Sequence, residues 1–244
     1  MKKNIFSIYF TAGFPNLKDT NLILNELEKT GADMIEIGMP FSDPLADGPI
    51  IQHSNKVALK NGMNLKLLFK QLSTANCQLP ILLMGYLNPV LQFGVKSFCK
   101  CASEVGVSGV IIPDLPMEEY LNDYKFIFNK YDIKNIFLIT PQTSEARIKM
   151  IDDNTDGFIY LVSSASTTGT NTEMNDEKEK YFSRIKKMNL KNPLMIGFGI
   201  SNKKSFAKAC EYANGAIIGS AFIRAIENNN NLNKSINHFI KTIR

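Results

Sequence analysis

The sequence holds little of what metal and redox sites are usually made from. There are two histidines, His53 and His238, and four cysteines, Cys77, Cys99, Cys101 and Cys210. The cysteines fall in segments that read as helix or helix end, and Cys99 and Cys101 would point to different faces of one helix. Neither a disulfide framework nor a zinc spacing results, so we expect a reducing compartment and no metal site. His53 reads as a solvated helix residue. No segment reaches the ~18 apolar residues of a membrane span. The opening, Met1 to Phe10, has a short apolar run broken by Ser7 and followed by no small-residue cleavage site, so it reads as a first strand and not a signal peptide. Basic runs are equally scarce. The net charge of +5 is dispersed, with no block longer than a Lys-Lys pair and no RNA-binding aromatic motif, which argues against a nucleic-acid partner. No Gly-x-Gly-x-x-Gly opens a helix, so the usual dinucleotide fingerprint is missing too.

What the chain does have is alternation. Short β-rich runs and amphipathic helical runs succeed one another throughout, the pattern of parallel strands joined by crossover helices. Eight strands are expected: Ile5 to Phe10, Met34 to Ile37, Pro80 to Met84, Gly109 to Ile112, Ile136 to Ile139, Phe158 to Val162, Leu194 to Gly197 and Ala216 to Gly219. Helical runs fill the gaps, among them Ile50 to Leu59, Leu65 to Thr74, Glu118 to Tyr131 and Ala221 to Glu227. At 244 residues the chain matches one (β/α)8 TIM barrel of the α/β class with additional short helices, a single domain over 1–244, with its site at the carboxyl ends of the strands. The tail carries a polar bridge, Asn228 to Asn231, that reads as a loop.

Chemistry concentrates after the second strand, in Ile35-Glu36-Ile37-Gly38-Met39-Pro40-Phe41-Ser42-Asp43-Pro44-Leu45-Ala46-Asp47-Gly48-Pro49. Prolines and glycines hold such a loop in one shape at low entropic cost. Glu36 lies on a strand buried on both faces, where burial pushes a carboxylate pKa up toward the range of a general acid/base. The pattern alone leaves two readings open: a structural Glu paired with Arg or Lys, or a functional one. Tyr9 and Thr11 end the first strand, Tyr86 and Asn88 follow the third, and Asp114 follows the fourth; each alone reads as a satisfied strand-end residue. After Tyr160-Leu161-Val162, the small polar stretch Ser163 to Asn171 reads as a mobile loop able to act as a lid. Gly197-Phe198-Gly199 and Gly219-Ser220 end the last two strands, where barrels recurrently bind phosphate through backbone N–H groups.

The run E-I-G-x-P-F-S-D-P-L-A-D-G-P-x-I-Q resembles the signature of the tryptophan synthase alpha subunit, and the resemblance covers essentially the whole chain. It implies a lyase cleaving indole-3-glycerol phosphate to indole and glyceraldehyde 3-phosphate, with Glu36 and Asp47 as the catalytic carboxylates and a loop-shaping role for Asp43. It places Tyr86 near the indole ring and Asp114 in a loop that meets the partner subunit. The lid would close over substrate with Thr168 hydrogen-bonding Asp47, although Ser166-Thr167-Thr168-Gly169 stands where the family usually has Gly-Val-Thr-Gly. The substrate-binding set comprises Tyr9, Tyr86, Tyr160, Thr168, Gly169, Phe198, Gly199, Gly219 and Ser220. No cofactor is implied on this chain. The implied partner is a pyridoxal-phosphate beta subunit in an alpha2-beta2 heterotetramer, in the cytoplasm or a plastid stroma. Two other readings share the motif: a stand-alone indole-releasing lyase and a non-catalytic, substrate-sensing regulator of a beta subunit. A metal-dependent epimerase lacks its histidines here, and an indole-glycerol phosphate synthase lacks its strand lysines.

Overall fold

The computed structural model describes residues 3–162, 176–197, 199–227 and 231–244. Within them nine parallel strands form one sheet: β1 (Ile5–Thr11), β2 (Met34–Gly38), β3 (Ile81–Met84), β4 (Val107–Ile111), β5 (Lys134–Ile136), β6 (Leu138–Ile139), β7 (Ile159–Val162), β8 (Leu194–Gly197) and β9 (Gly215–Ile218). Their order is β5-β4-β3-β2-β1-β9-β8-β7-β6. β5 and β6 are consecutive pieces of one run, interrupted at Phe137. β4 pairs with the first piece and β7 with the second, and between them the Phe137 carbonyl accepts the Tyr160 N–H at 3.0 Å. The sheet therefore returns on itself as a TIM barrel, and the single expected strand Ile136 to Ile139 appears as two short ones.

Alternation along each strand sorts side chains between the inside of the barrel and the helical layer outside. On β1 the apolar set Phe6, Ile8 and Phe10 is fully buried on one face, and Ser7, Tyr9 and Thr11 occupy the other. Ile35 and Ile37 flank Glu36 on β2 in the same way. Each fully buried Ile or Phe contributes about 1.5–3 kcal/mol relative to exposure. The helix Pro49–Lys60, which follows the Asp47 loop, starts with Pro at its first position and buries Ile51, Ser54, Asn55 and Ala58. That i, i+3, i+4, i+7 spacing is one helical face.

Three local expectations change. Tyr86 and Asn88 do not simply trail β3: Tyr86 is the N-cap of a short helix, Leu87–Phe93. Pro89 reads as a breaker, but in a first turn it has no intrahelical hydrogen bond to lose. The expected helix Glu118 to Tyr131 is built from Met117–Glu119, a π-helical turn at Tyr120–Tyr124, and Lys125–Lys130. Tyr120 is fully buried there, with its ring edge-on to both Phe128 and Phe137. The helix Leu65–Leu72 stops earlier than expected, which leaves Cys77 in the loop before β3. Of the Asn228 to Asn231 bridge only Asn231 is described, and its side chain caps the final helix by accepting the Lys234 N–H. Among the described residues no helix is long and apolar enough to cross a membrane.

Candidate active site

Glu36 stands in register with Tyr9 on one side and Leu82 on the other. It is fully buried. The Ser7 hydroxyl donates to its Oε1 at 3.3 Å, and Oε2 has no hydrogen-bond partner among the described residues. No Lys or Arg among the described residues pairs with it, so the structural reading of a cation-matched Glu loses its basis. Burial raises its pKa from 4.5 to about 8, with the Ser7 hydrogen bond acting in the opposite direction. A carboxyl in this state keeps its proton at neutral pH.

Asp47 arrives from the loop between β2 and the next helix and is 8% exposed. Burial raises its pKa from 3.8 to about 6, and a hydrogen bond from the Tyr86 hydroxyl holds it below what burial alone would give. The loop is fastened at several points. The Phe41 N–H donates to Asn55 Oδ1 at 3.0 Å, and Gln52 Nε2 donates to the Asp47 carbonyl at 2.8 Å. The Ala46 N–H donates to the Tyr86 hydroxyl oxygen at 3.0 Å, and the Phe41 ring lies 5.2 Å from the Tyr86 ring. Within the loop the Ser42 hydroxyl donates to the Asp43 carboxylate, and the Leu45 N–H donates to the Asp43 carbonyl. Three helix residues thus support the site: Gln52, which closes the motif, and Ser54 and Asn55, which follow it and which nothing in the motif singles out. Ser54 joins Thr11 on β1 at 2.6 Å, pinning that helix to the barrel.

Tyr9 and Tyr160 complete the barrel mouth. Burial raises both phenol pKa values, with Asp47 the next cause for Tyr9 and Glu36 the next for Tyr160. Both therefore stay protonated beside the carboxylates. Room for their hydroxyls comes from two glycines: a Cβ on Gly38 would lie 2.2 Å from the Tyr9 hydroxyl, and one on Gly197 would lie 2.0 Å from that of Tyr160. A small cleft between the β2 and β3 loops is lined by Tyr9, Asp47, Asn55 and Tyr86.

At the far side of the mouth, Gly199 takes φ +77°, the left-handed region. Gly219 immediately precedes the helix Ser220–Glu227, and a Cβ there would come within 3.2 Å of Tyr9 Cδ1. The Gly219 carbonyl accepts the Ile223 N–H at 3.0 Å. The first N–H groups of a helix have no partner within it, which suits them to an anion. Thr168, Gly169 and Phe198 lie outside the described residues, as does the stretch Ser163 to Asn171. Asp114 is on the surface, where its Oδ1 accepts the Leu87 N–H. The support residue that could have been read beforehand is Ser7, which shares the polar alternation of Tyr9 and Thr11. Among the described residues no three His, Cys, Asp or Glu side chains gather to hold a metal.

Comparison with known proteins identifies the family. A family model of the tryptophan synthase alpha chain matches residues 1–243. The tryptophan synthase alpha chain of Flavobacterium psychrophilum is 56% identical over 243 residues, 99% of this chain and 95% of that one. Its counterpart from Phocaeicola vulgatus is 56% identical over 228 residues, 93% and 88% of the two chains. Among solved structures, the tryptophan synthase A-subunit of Pyrococcus furiosus superposes with a TM-score of 0.89 at 34% identity, covering 100% of this chain and 99% of that one. The alpha chain from Legionella pneumophila superposes with a TM-score of 0.87 at 32% identity, covering 99% and 90%. The motif, the barrel and likenesses spanning the full length lead to one conclusion: the chain belongs to the tryptophan synthase alpha chain family, the lyases that cleave indole-3-glycerol phosphate and whose partner is a beta subunit.

Proposed function

We propose that Glu36 moves the protons of indole-3-glycerol phosphate cleavage and that Asp47 holds the indole N–H. The observation carrying this reading is a fully buried Glu36 with one carboxylate oxygen unpartnered among the described residues and its pKa raised to about 8. Protonated at neutral pH, it delivers its proton to indole C3. Asp47, with a pKa of about 6, is ionised there and takes up the positive charge that develops at the ring nitrogen. The resulting Glu36 carboxylate removes the proton of the side-chain hydroxyl. The bond from C3 to the glycerol chain then breaks, its electrons return to the ring, and the hydroxyl carbon becomes the aldehyde of glyceraldehyde 3-phosphate. Two carboxylates with pKa values set apart by their surroundings divide the acid and anion roles.

Tyr9, Tyr86 and Tyr160 wall the indole site, and Phe198 belongs with them by the family resemblance. The phosphate is held by backbone N–H groups at Gly199 and Gly219 and by Ser220; the family resemblance adds Gly169 to this set and gives Thr168 the role of a partner to Asp47. This is an anion cradle without a basic cluster. The chain works in the cytoplasm as the alpha subunit of an alpha2-beta2 heterotetramer, with a pyridoxal-phosphate beta subunit that consumes the indole. The test is indole release from indole-3-glycerol phosphate by the chain alone and with a beta subunit titrated in. Activation on titration is expected. Rapid turnover alone with a flat titration would favour the stand-alone lyase, and no indole under either condition would leave only a regulatory role.

A further inference from the structure

The loop bearing Asp47 starts with a backbone bond to β3, from the Met39 N–H to the Met84 carbonyl at 2.7 Å, and near Asp47 it is tied to the segment after that strand's end by the ring of Tyr86. Its hydroxyl accepts the Ala46 N–H at 3.0 Å, one residue before the carboxylate, and lies beside the Asp47 carboxyl, whose pKa it holds down. Tyr86 is the last extended residue before the helix Leu87–Phe93, with φ −95° and ψ 156°. Its side chain points into the site, so it does not cap that helix in the usual way, by bonding N–H groups of the first turn. The cap comes from another loop: Asp114 Oδ1 accepts the Leu87 N–H at 2.9 Å. A carboxylate at a helix N-terminus is favoured by the helix dipole as well as by the bond. The Leu87 N–H belongs to the peptide directly after Tyr86, so the bond fixes the plane from which the ring departs. Asp114 is exposed, and water could satisfy this N–H in its place, so the fold has little need of a carboxylate here.

We propose that Asp114, acting through the Leu87 N–H and Tyr86, is a positioning residue for Asp47 in the cleavage reaction. The inference rests on the assignment of Asp47 as a catalytic carboxylate. It gives an exposed loop after β4 a direct line to the catalytic loop after β2, by one hydrogen bond to the backbone and one aromatic ring. The titratable groups facing Asp47 are Tyr9 on β1, Tyr86 after β3 and Tyr160 on β7, and of these only Tyr86 is held by Asp114.

The experiment measures steady-state cleavage across pH for the full chain, alone and with a beta subunit, in wild type, Asp114→Ala, Asp114→Asn, Asp47→Asn and the Asp47→Asn/Asp114→Ala double variant. Misplacement of a reacting group by about 1 Å costs on the order of 100-fold, so a loosened loop should lower kcat of Asp114→Ala by about tenfold or more with KM nearly unchanged. The acid limb of its pH profile should move upward, because Asp47 loses part of the Tyr86 hydrogen bond that holds its pKa down. Asp114→Asn keeps an acceptor oxygen and should recover most of the rate. On the residual rate of Asp47→Asn, Asp114→Ala should have no further effect. An unchanged kcat and pH profile in Asp114→Ala would overturn the proposal, as would an equal loss in the Asp47→Asn background or a loss confined to the beta-subunit complex. Wild-type turnover by Asp47→Asn would instead overturn the assignment of Asp47 itself.

Discussion

Glu36 keeps its proton because burial removes the water that would stabilise its ionised form and no cation among the described residues replaces it. The same fact links stability to pH. Below about pH 4.5 the carboxyl is protonated in both folded and unfolded chains, so it adds no pH dependence. Between 4.5 and about 8 the unfolded chain releases the proton while the folded chain retains it, so stability falls as pH rises. Above about 8 the full penalty is present, as much as about 5 kcal/mol at 1.36 kcal/mol per unit. Glu36→Gln removes this penalty while keeping an acceptor for Ser7. Denaturant unfolding should therefore find the variant close to wild type near pH 5 and more stable by a few kcal/mol near pH 9. Equal stabilities at both pH values would mean that the Glu36 carboxyl ionises freely in the fold. Sequence shows that a carboxylate between Ile35 and Ile37 will be buried, since strand alternation is local. It cannot show that no cation reaches it, because a partner could arrive from any distant strand. Ser7 was legible in the same way as Glu36, from its place in the polar alternation of β1.

The element that decides the geometry is the Met39 to Gly48 loop, and its order comes from its neighbours as much as from its own prolines. Asn55 carries a central part. Its Oδ1 accepts the Phe41 N–H and its Nδ2 donates to the Ile51 carbonyl at 2.8 Å, so the helix after the loop grips the loop's beginning. Asn55→Ala takes the partner from the part-buried Phe41 N–H, at a cost of about 1 kcal/mol, and frees the loop. Its kcat for cleavage should fall by about tenfold, with KM much less affected. Paired kinetics and thermal melts check this, and a variant that melts lower yet keeps its full kcat would show that Asn55 serves the fold alone. The motif announces Glu36 and Asp47 because their spacing is written in adjacent residues. Ser54 and Asn55, beyond the motif's closing Gln52, have only a helical period to mark them, and polar residues at such a spacing are common on any helix. The helix Leu87–Phe93 was hidden by Asn88-Pro89, since the residue before a proline is biased away from helix.

At the scale of the whole molecule the barrel is the most legible feature, because its alternation of strand and helix repeats along the entire chain. What blurred was closure: the run Lys134 to Ile139 is two short strands about Phe137, a break that depends on which neighbour bonds to each half. The carboxyl ends of β1, β2, β7 and β9 bring Tyr9, the Asp47 loop, Tyr160 and Gly219 around one opening. The same rim carries Leu45, 81% exposed beside Asp47. A beta subunit docking on this face would favour the ordered site, and binding linkage requires the effect to run both ways. A substrate analogue bound to this chain should tighten its complex with the beta subunit by about 5- to 150-fold, the usual span of such coupling. Titration calorimetry with and without the analogue measures it, and identical affinities would remove the coupling. The central claim is that one buried carboxyl moves the protons of carbon-carbon cleavage. Its most direct test is the turnover of indole-3-glycerol phosphate by Glu36→Gln in the presence of saturating beta subunit, alongside the binding of a substrate analogue. Positioned proton transfer is worth about 10²–10⁴-fold, so indole release should fall at least a hundredfold with analogue affinity nearly unchanged. Turnover of more than a few per cent of wild type would contradict the account.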